Sequence, residues 1–173
     1  KSNSYINQSF EIALKILKEK KCAGLINGPV SKKDFLKGKY LGITEFLANK
    51  TNSEDGFAML IYNKKISVSP ITTHLPLKVV HKFISKKKII NKVKIIVKFY
   101  KKYFMKIPKI AVTGLNPHCE SNFKSSEEKT SIKPAIKLLL RNGYDVKGPF
   151  AADTLFMKEH LKKYDLIIGM YHD

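Results

Sequence analysis

The sequence predicts an α/β protein built on a mostly parallel sheet with flanking helices, and three observations carry that prediction. Short apolar runs of strand length recur along the chain, at Ala23-Gly24-Leu25-Ile26, Ile110-Ala111-Val112 and Leu166-Ile167-Ile168-Gly169-Met170. Segments with apolar residues at helical spacing separate them, and strands alternating with helices require helical crossovers between parallel strands. Finally, three apolar runs each lead into a histidine: Val68 to Ile71 into Thr72-Thr73-His74, Ile110 to Val112 into Asn116-Pro117-His118, and Leu166 to Met170 into Tyr171-His172-Asp173. In open α/β sheets the carboxyl ends of the strands are where ligands bind.

Taken in order, Phe10, Ala13, Leu14 and Leu17 predict an amphipathic helix over Ser9–Lys20 with Ser9 as its cap. Ala23–Ile26 reads as a buried strand ended by the turn signal Asn27-Gly28-Pro29. Ser31 can cap a short helix through Phe35 and Leu36 that Gly38 stops, and Thr44 can cap the next. Phe57–Tyr62 and Ile66–Ile71, joined by Asn63-Lys64-Lys65, predict an antiparallel hairpin. A short helix covers Leu77–Phe83. A long one follows from Ser85 to Phe104, with Ile89, Val93, Ile96, Val97, Tyr100 and Phe104 on one stripe. Glu127–Asn142 is helical, with Ile132, Ile136, Leu139 and Leu140 inward and Gly143 as its stop; Pro134 fits there only in a first turn. Tyr144–Val146 reads as a strand, Asp153 or Thr154 caps a helix to Lys163, and Asp165–Met170 is the last strand. No repeat or internal domain boundary is visible. Because residue 1 is lysine and the chain stops at Asp173 directly after a strand, residues 1–173 are expected to be a piece of a chain extending at both ends.

Basic side chains outnumber acidic ones 33 to 14, a net charge of +19. Such an excess raises nucleic acid or anionic membrane as partners. Against both, Arg141 is the sole arginine, whereas base-edge and phosphate-fork recognition lean on arginine, and the lysines are scattered beside helical apolar positions as on a solvated face. Neither nucleic acid nor membrane is therefore expected as a partner, and no apolar run approaches the ~20 residues of a membrane span. Cys22 and Cys119 form no CxxC pair, as expected of reduced thiols in the cytoplasm.

Imidazole is the commonest protein ligand for zinc-like ions, and three protein ligands plus an open position is the usual catalytic layout. His74, His118 and His172 have that count and that location; the competing reading is three ordinary loop histidines bonded to backbone. Helical His81 and His160 read as structural or exposed. Asp153 and Asp173 could orient a ligand, join a metal shell or move a proton, with a helix cap as the alternative for Asp153. Lys32, after Gly28-Pro29-Val30-Ser31, could help hold an anion, or be one more surface lysine. Neither G-x-G-x-x-G, nor a P-loop, nor G-x-S-x-G occurs, so a bound nucleotide would use another mode and a serine hydrolase has no support.

Six segments, in order and at matching intervals, resemble the 4-hydroxythreonine-4-phosphate dehydrogenase (PdxA) family over about Gly24 to Asp173. They are Asn27-Gly28-Pro29-Val30-Ser31-Lys32, Gly42-Ile43-Thr44-Glu45-Phe46-Leu47-Ala48, Thr72-Thr73-His74-Leu75-Pro76-Leu77, Gly114-Leu115-Asn116-Pro117-His118, Gly148-Pro149-Phe150-Ala151-Ala152-Asp153-Thr154 and Met170-Tyr171-His172-Asp173. The resemblance implies a fold like the isocitrate and isopropylmalate dehydrogenases, two-lobed in the full-length chain, with NAD or NADP bound without a Rossmann motif. It implies a divalent metal (Zn, Mg, Mn or Co) on His74, His118 and His172, the last contributed across a homodimer interface, and a substrate contact from Thr44. The implied reaction oxidises 4-phosphooxy-L-threonine to a 3-oxo acid that decarboxylates to 3-amino-2-oxopropyl phosphate, in vitamin B6 biosynthesis in the cytoplasm. Lys32, Asp153 and Asp173 are the candidates for proton transfer and positioning.

Three departures stand out. Ile43 replaces the family's usual histidine before Thr44, the loop Cys119-Glu120-Ser121-Asn122-Phe123-Lys124-Ser125-Ser126 lacks the usual glycines, and the family continues past Asp173 to further substrate-binding residues. A paralogous dehydrogenase of 4-phospho-threonate or 4-phospho-erythronate is the alternative kept open by Ile43. A non-catalytic metal- or nucleic-acid-binding module is the alternative of another class.

Overall fold

The computed structural model describes residues 2–53, 56–119 and 123–172, and the chain divides into two compact units, residues 1–54 and 55–173. The hydrophobic pattern does not announce that division. Asp173 lies outside the described residues.

The first unit holds helices α1 (Ser2–Lys18), α2 (Lys32–Leu36) and α3 (Ile43–Lys50). Its core is aromatic: Phe10, Phe35 and Phe46 are buried, with ring centroids 5.1 to 5.8 Å apart. Ser9 is not the cap of α1, which begins at Ser2; the Ser9 hydroxyl instead donates to the Tyr5 carbonyl one turn back, at 2.9 Å. Ser31 does cap α2, accepting from the Asp34 N–H. For α3 the cap is Gly42, which places Thr44 inside the first turn. The expected strand at 23–26 has no ladder partner among the described residues, and Ile26 is 98% exposed. An apolar run becomes a strand only where a neighbour supplies the other half of its hydrogen bonds.

In the second unit the chain runs β1 (Ser67–Pro70), α4 (Leu77–Phe83), α5 (Lys86–Phe104), β2 (Ile110–Thr113), α6 (Lys133–Arg141), β3 (Val146–Phe150), α7 (Ala152–Leu155), α8 (Lys158–Leu161) and β4 (Leu166–Gly169). The four strands form one sheet in the order β1-β4-β2-β3, every pair parallel. Such a sheet must bury both faces, and alternation along β2 and β4 does this. Ile110, Val112, Leu166 and Ile168 join the main core with α5 and α6, while Ala111 and Ile167 meet Leu155 on the other side.

The stripe of α5 is buried as the spacing requires up to Tyr100, whose hydroxyl donates to Ser67 of β1 at 2.9 Å; Phe104 is partly exposed. Ser85 caps this helix, accepting from the Lys88 N–H. Before α6, a π-helical turn over Glu128–Ile132 lets the Lys133 N–H reach the Glu128 carbonyl. That turn accommodates Pro134, which has no N–H to give an α-helical ladder. Leu140 points outward, and Ala135 takes the inward place beside Ile136 and Leu139.

The antiparallel hairpin reduces to one bridge, Ile61 to Val68, on the edge of β1 away from β4. The third strand begins at Val146 rather than Tyr144, at the sheet edge where Pro149 withholds no interior hydrogen bond. Helix 153–163 breaks into α7 and α8 at Phe156-Met157.

At the amino edge of the sheet, Asp165 ties β2 to β4. One carboxylate oxygen accepts from Lys106 Nζ at 2.6 Å and the other from the Lys109 N–H at 2.9 Å. Burial works to raise this carboxyl, but the Lys106 and Lys109 hydrogen bonds outweigh it and hold it below 3.8. A lowered folded-state pKa stabilises above the ordinary value and loses that stabilisation as pH falls through the folded value. The stability gap between wild type and Asp165→Asn in denaturant unfolding is therefore expected to shrink as pH falls below about 4 and into the acid range. A gap constant across that window would refute this origin.

Candidate functional site

Because the four strands are parallel, all four carboxyl ends lie at one edge of the sheet. There β1 leads to His74, β4 to His172, β2 to His118 and β3 to Asp153. Pairing of β1 with β4 continues past the strands: Ile71 N–H donates to the Gly169 carbonyl at 2.8 Å, and both the N–H and the hydroxyl of buried Thr72 donate to the Met170 carbonyl. Two chains held in step so far release their histidines side by side. The rings of His74 and His172 lie 6.3 Å apart, centroid to centroid, and 27° from parallel.

Next to this pair is a cavity of about 430 Å³ lined on its apolar side by Val68, Ile167 and Phe156, with Asn116, His118, Asp153 and His172 supplying polar groups. All of the three histidines and Asp153 are solvent-exposed. Asp153 is not a helix cap: Ala151 occupies that position, and the Asp153 carboxylate accepts from the adjoining Thr154 N–H at 2.8 Å. Lys32, exposed at the start of α2, and Thr44, half-buried in α3, belong to the first unit, and His81 and His160 are exposed on their helices.

Whether a divalent ion fits is a matter of donors and distance. Three imidazoles are the right donors. Two imidazoles sharing a tetrahedral ion at ~2.1 Å hold their centroids roughly 5 Å apart, so the His74 and His172 rings of one chain, at 6.3 Å, stand too far apart to share an ion as they are. Among the described residues, no three histidine, cysteine, aspartate or glutamate side chains stand close enough to hold one ion. The donor chemistry fits; among the described residues of one chain the shell does not close.

The loop bearing His118 is built tightly. Gly114 has no Cβ because one would sit 2.5 Å from Cys119 Sγ, and the Cys119 N–H closes the turn on the Asn116 carbonyl at 3.1 Å. Both His118 (φ 54°) and Cys119 (φ 56°) adopt left-handed backbone, which costs a non-glycine residue about 1–3 kcal/mol. Burial raises the Cys119 thiol, so it is a packed group rather than a nucleophile.

Glu128 is the site residue that sequence reasoning missed. It is 1% exposed, and its carboxylate accepts from the Leu115 N–H, the Asn116 N–H and Asn116 Nδ2, each at 2.8 Å. Burial works to raise this carboxyl, and those donors outweigh it, leaving it below its ordinary range. One signal could have found it: Glu128 continues the apolar stripe Ile132, Ile136 and Leu139 at helical spacing, placing an acid on a buried face.

Residues 1–173 match the family described as pyridoxal phosphate biosynthetic protein PdxA. A 4-hydroxythreonine-4-phosphate dehydrogenase of Sulfurihydrogenibium sp. (strain YO3AOP1) is 40% identical over 167 residues, covering 94% of this chain and 51% of the relative. A D-threonate 4-phosphate dehydrogenase of Pectobacterium atrosepticum is 33% identical over 135 residues, covering 78% of this chain and 41% of the relative. The crystal structure of a 4-hydroxythreonine-4-phosphate dehydrogenase from Burkholderia phymatum superposes with a TM-score of 0.80 at 32% identity, over 96% of this chain and 51% of that one. The chain thus spans about half the length of the curated relatives it matches.

Proposed function

Because the chain belongs to the PdxA family, we propose that the full-length protein is an NAD(P)-dependent dehydrogenase of 4-phosphooxy-L-threonine. The observation that carries this reading is the delivery of His74, His118 and Asp153 to one sheet edge by three parallel strand ends, with His172 exposed at the fourth. In the assembled homodimer His74, His118 and His172 would hold a divalent ion, with His172 contributed across the interface; the shell left open among the described residues of one chain supports that reading. When bound, the ion supplies positive charge that makes a substrate hydroxyl more acidic.

Asp153 at the cavity accepts the hydroxyl proton as the carbon's hydride passes to NAD(P)+, leaving a 3-oxo acid. Loss of CO2 then moves the C–C bonding pair toward the new carbonyl, and the resulting carbanion takes up a proton to give 3-amino-2-oxopropyl phosphate. Lys32 and Thr44 are proposed to bind the phosphorylated end of the substrate, and Asp173 to assist proton transfer. A cytoplasmic setting accords with free Cys22 and Cys119, and no helix among the described residues is long and apolar enough to cross a membrane.

One observation favours a second substrate. Ile43, which packs against the aromatic core of the first unit, cannot hydrogen-bond where the family's usual histidine would. That supports 4-phospho-threonate or 4-phospho-erythronate as alternatives, and a relative is named for D-threonate 4-phosphate. Steady-state NAD(P)H formation by the full-length protein on these substrates separates the readings. We expect the highest kcat/KM on 4-phosphooxy-L-threonine. Faster turnover of a phosphorylated sugar acid would shift the assignment to the paralogue. No reduction with any of them, together with salt-sensitive polynucleotide binding, would replace it with a binding module.

A further inference from the structure

We propose that Glu128 is a positioning residue for the ion-binding loop, acting on His118 through Asn116 and the loop backbone; this rests on the metal site proposed above. Three hydrogen bonds of 2.8 Å run to its carboxylate from Leu115 and Asn116, in the turn between β2 and His118. The loop needs such a hold. Its two successive left-handed residues are unfavourable by themselves, and the close contact of Gly114 with Cys119 leaves little room for another path. Glu127 adds a second acceptor for Asn116 Nδ2 at 3.1 Å, so the amide is fixed between two carboxylates. A buried charge could have been spared by an apolar residue at this stripe position, since Ile132 and Leu139 already dock the helix on the sheet. What the carboxylate adds is the register of the turn that presents the imidazole.

Glu128→Gln isolates that role. One amide oxygen can still accept from the two backbone N–H groups, but its NH2 opposes Asn116 Nδ2, donor against donor. Asp165→Asn serves as comparator, because it removes a half-buried, hydrogen-bonded carboxylate at the opposite edge of the sheet. In the full-length protein, Co2+ titration followed by visible absorption is expected to show binding weakened about tenfold or more in E128Q, and within about twofold of wild type in D165N. An E128Q protein that melts lower yet binds Co2+ like wild type would reduce Glu128 to a structural residue and overturn the inference. Wild-type protein that takes up no Co2+ would instead overturn the metal reading beneath it. Amide exchange in wild type tests the same hold without a variant. Leu115 and Asn116 are expected to exchange as slowly as β2, and fast exchange at both would overturn the inference.

Discussion

His118→Ala in the full-length protein is expected to lower kcat/KM by about a thousandfold or more and to abolish stoichiometric divalent-ion binding. Loss of an ion that stabilises charge at the reacting oxygen costs several kcal/mol, and about 4 kcal/mol is a thousandfold. Folding should suffer little, because the His118 side chain is exposed. Alanine inherits the left-handed backbone that the histidine already occupies, and tolerates it only slightly less well, so the added strain is under about 1 kcal/mol. The pattern expected is therefore lost turnover and lost ion with a melting temperature lowered by a few degrees. Activity within tenfold of wild type, with the ion retained, would remove His118 from the site and leave the strand-edge reading without its central ligand.

Gly148→Ala should give the reverse pattern, a folding defect whose effect on activity follows from it. Gly148 holds φ at 138°, a region glycine alone occupies comfortably, and a Cβ there would be driven into the Val112 carbonyl of β2. The two faults act together, since shifting the backbone to relieve one pulls β3 off β2. It would also loosen the 2.9 Å bond from the Gly114 N–H to the Phe150 carbonyl, which anchors the start of the His118 loop. We expect a loss of about 3 kcal/mol or more in denaturant unfolding. Gly24→Ala, where a Cβ meets nothing within 4 Å and φ is ordinary, should stay within about 0.5 kcal/mol. Equal tolerance at both positions would show that β3 is not held as closely as the structure has it.

These two substitutions fall on positions that were not equally easy to foresee. His118 follows an apolar run and a turn signal, so its place at a strand end could be read directly from the chain. Gly148 carries no such mark. Its backbone angle and its approach to Val112 depend on a strand arriving from more than thirty residues away. The same division runs through the rest of the molecule. Ser85 and the α5 stripe, Ser31 before α2, and strands β2 and β4 were all predictable, because caps and periodicities are settled within a few residues. The strand expected at 23–26 and most of the hairpin before β1 looked sound locally but have no ladder partner among the described residues, and the cap expected at Asp153 falls at Ala151 instead.

Reading the chain alone established an α/β class, the family resemblance and three histidines each following a strand. It could not order the strands, and the order β1-β4-β2-β3 is what sets His172 beside His74 and brings His118 and Asp153 to the same cavity. Helical spacing sets Glu128 on the buried stripe, but nothing in it shows that the carboxylate grips the turn before His118. The reason is range. Helical and strand periods are encoded between near neighbours, whereas pairing, burial of a charge and the meeting of loops depend on which distant segments share a core.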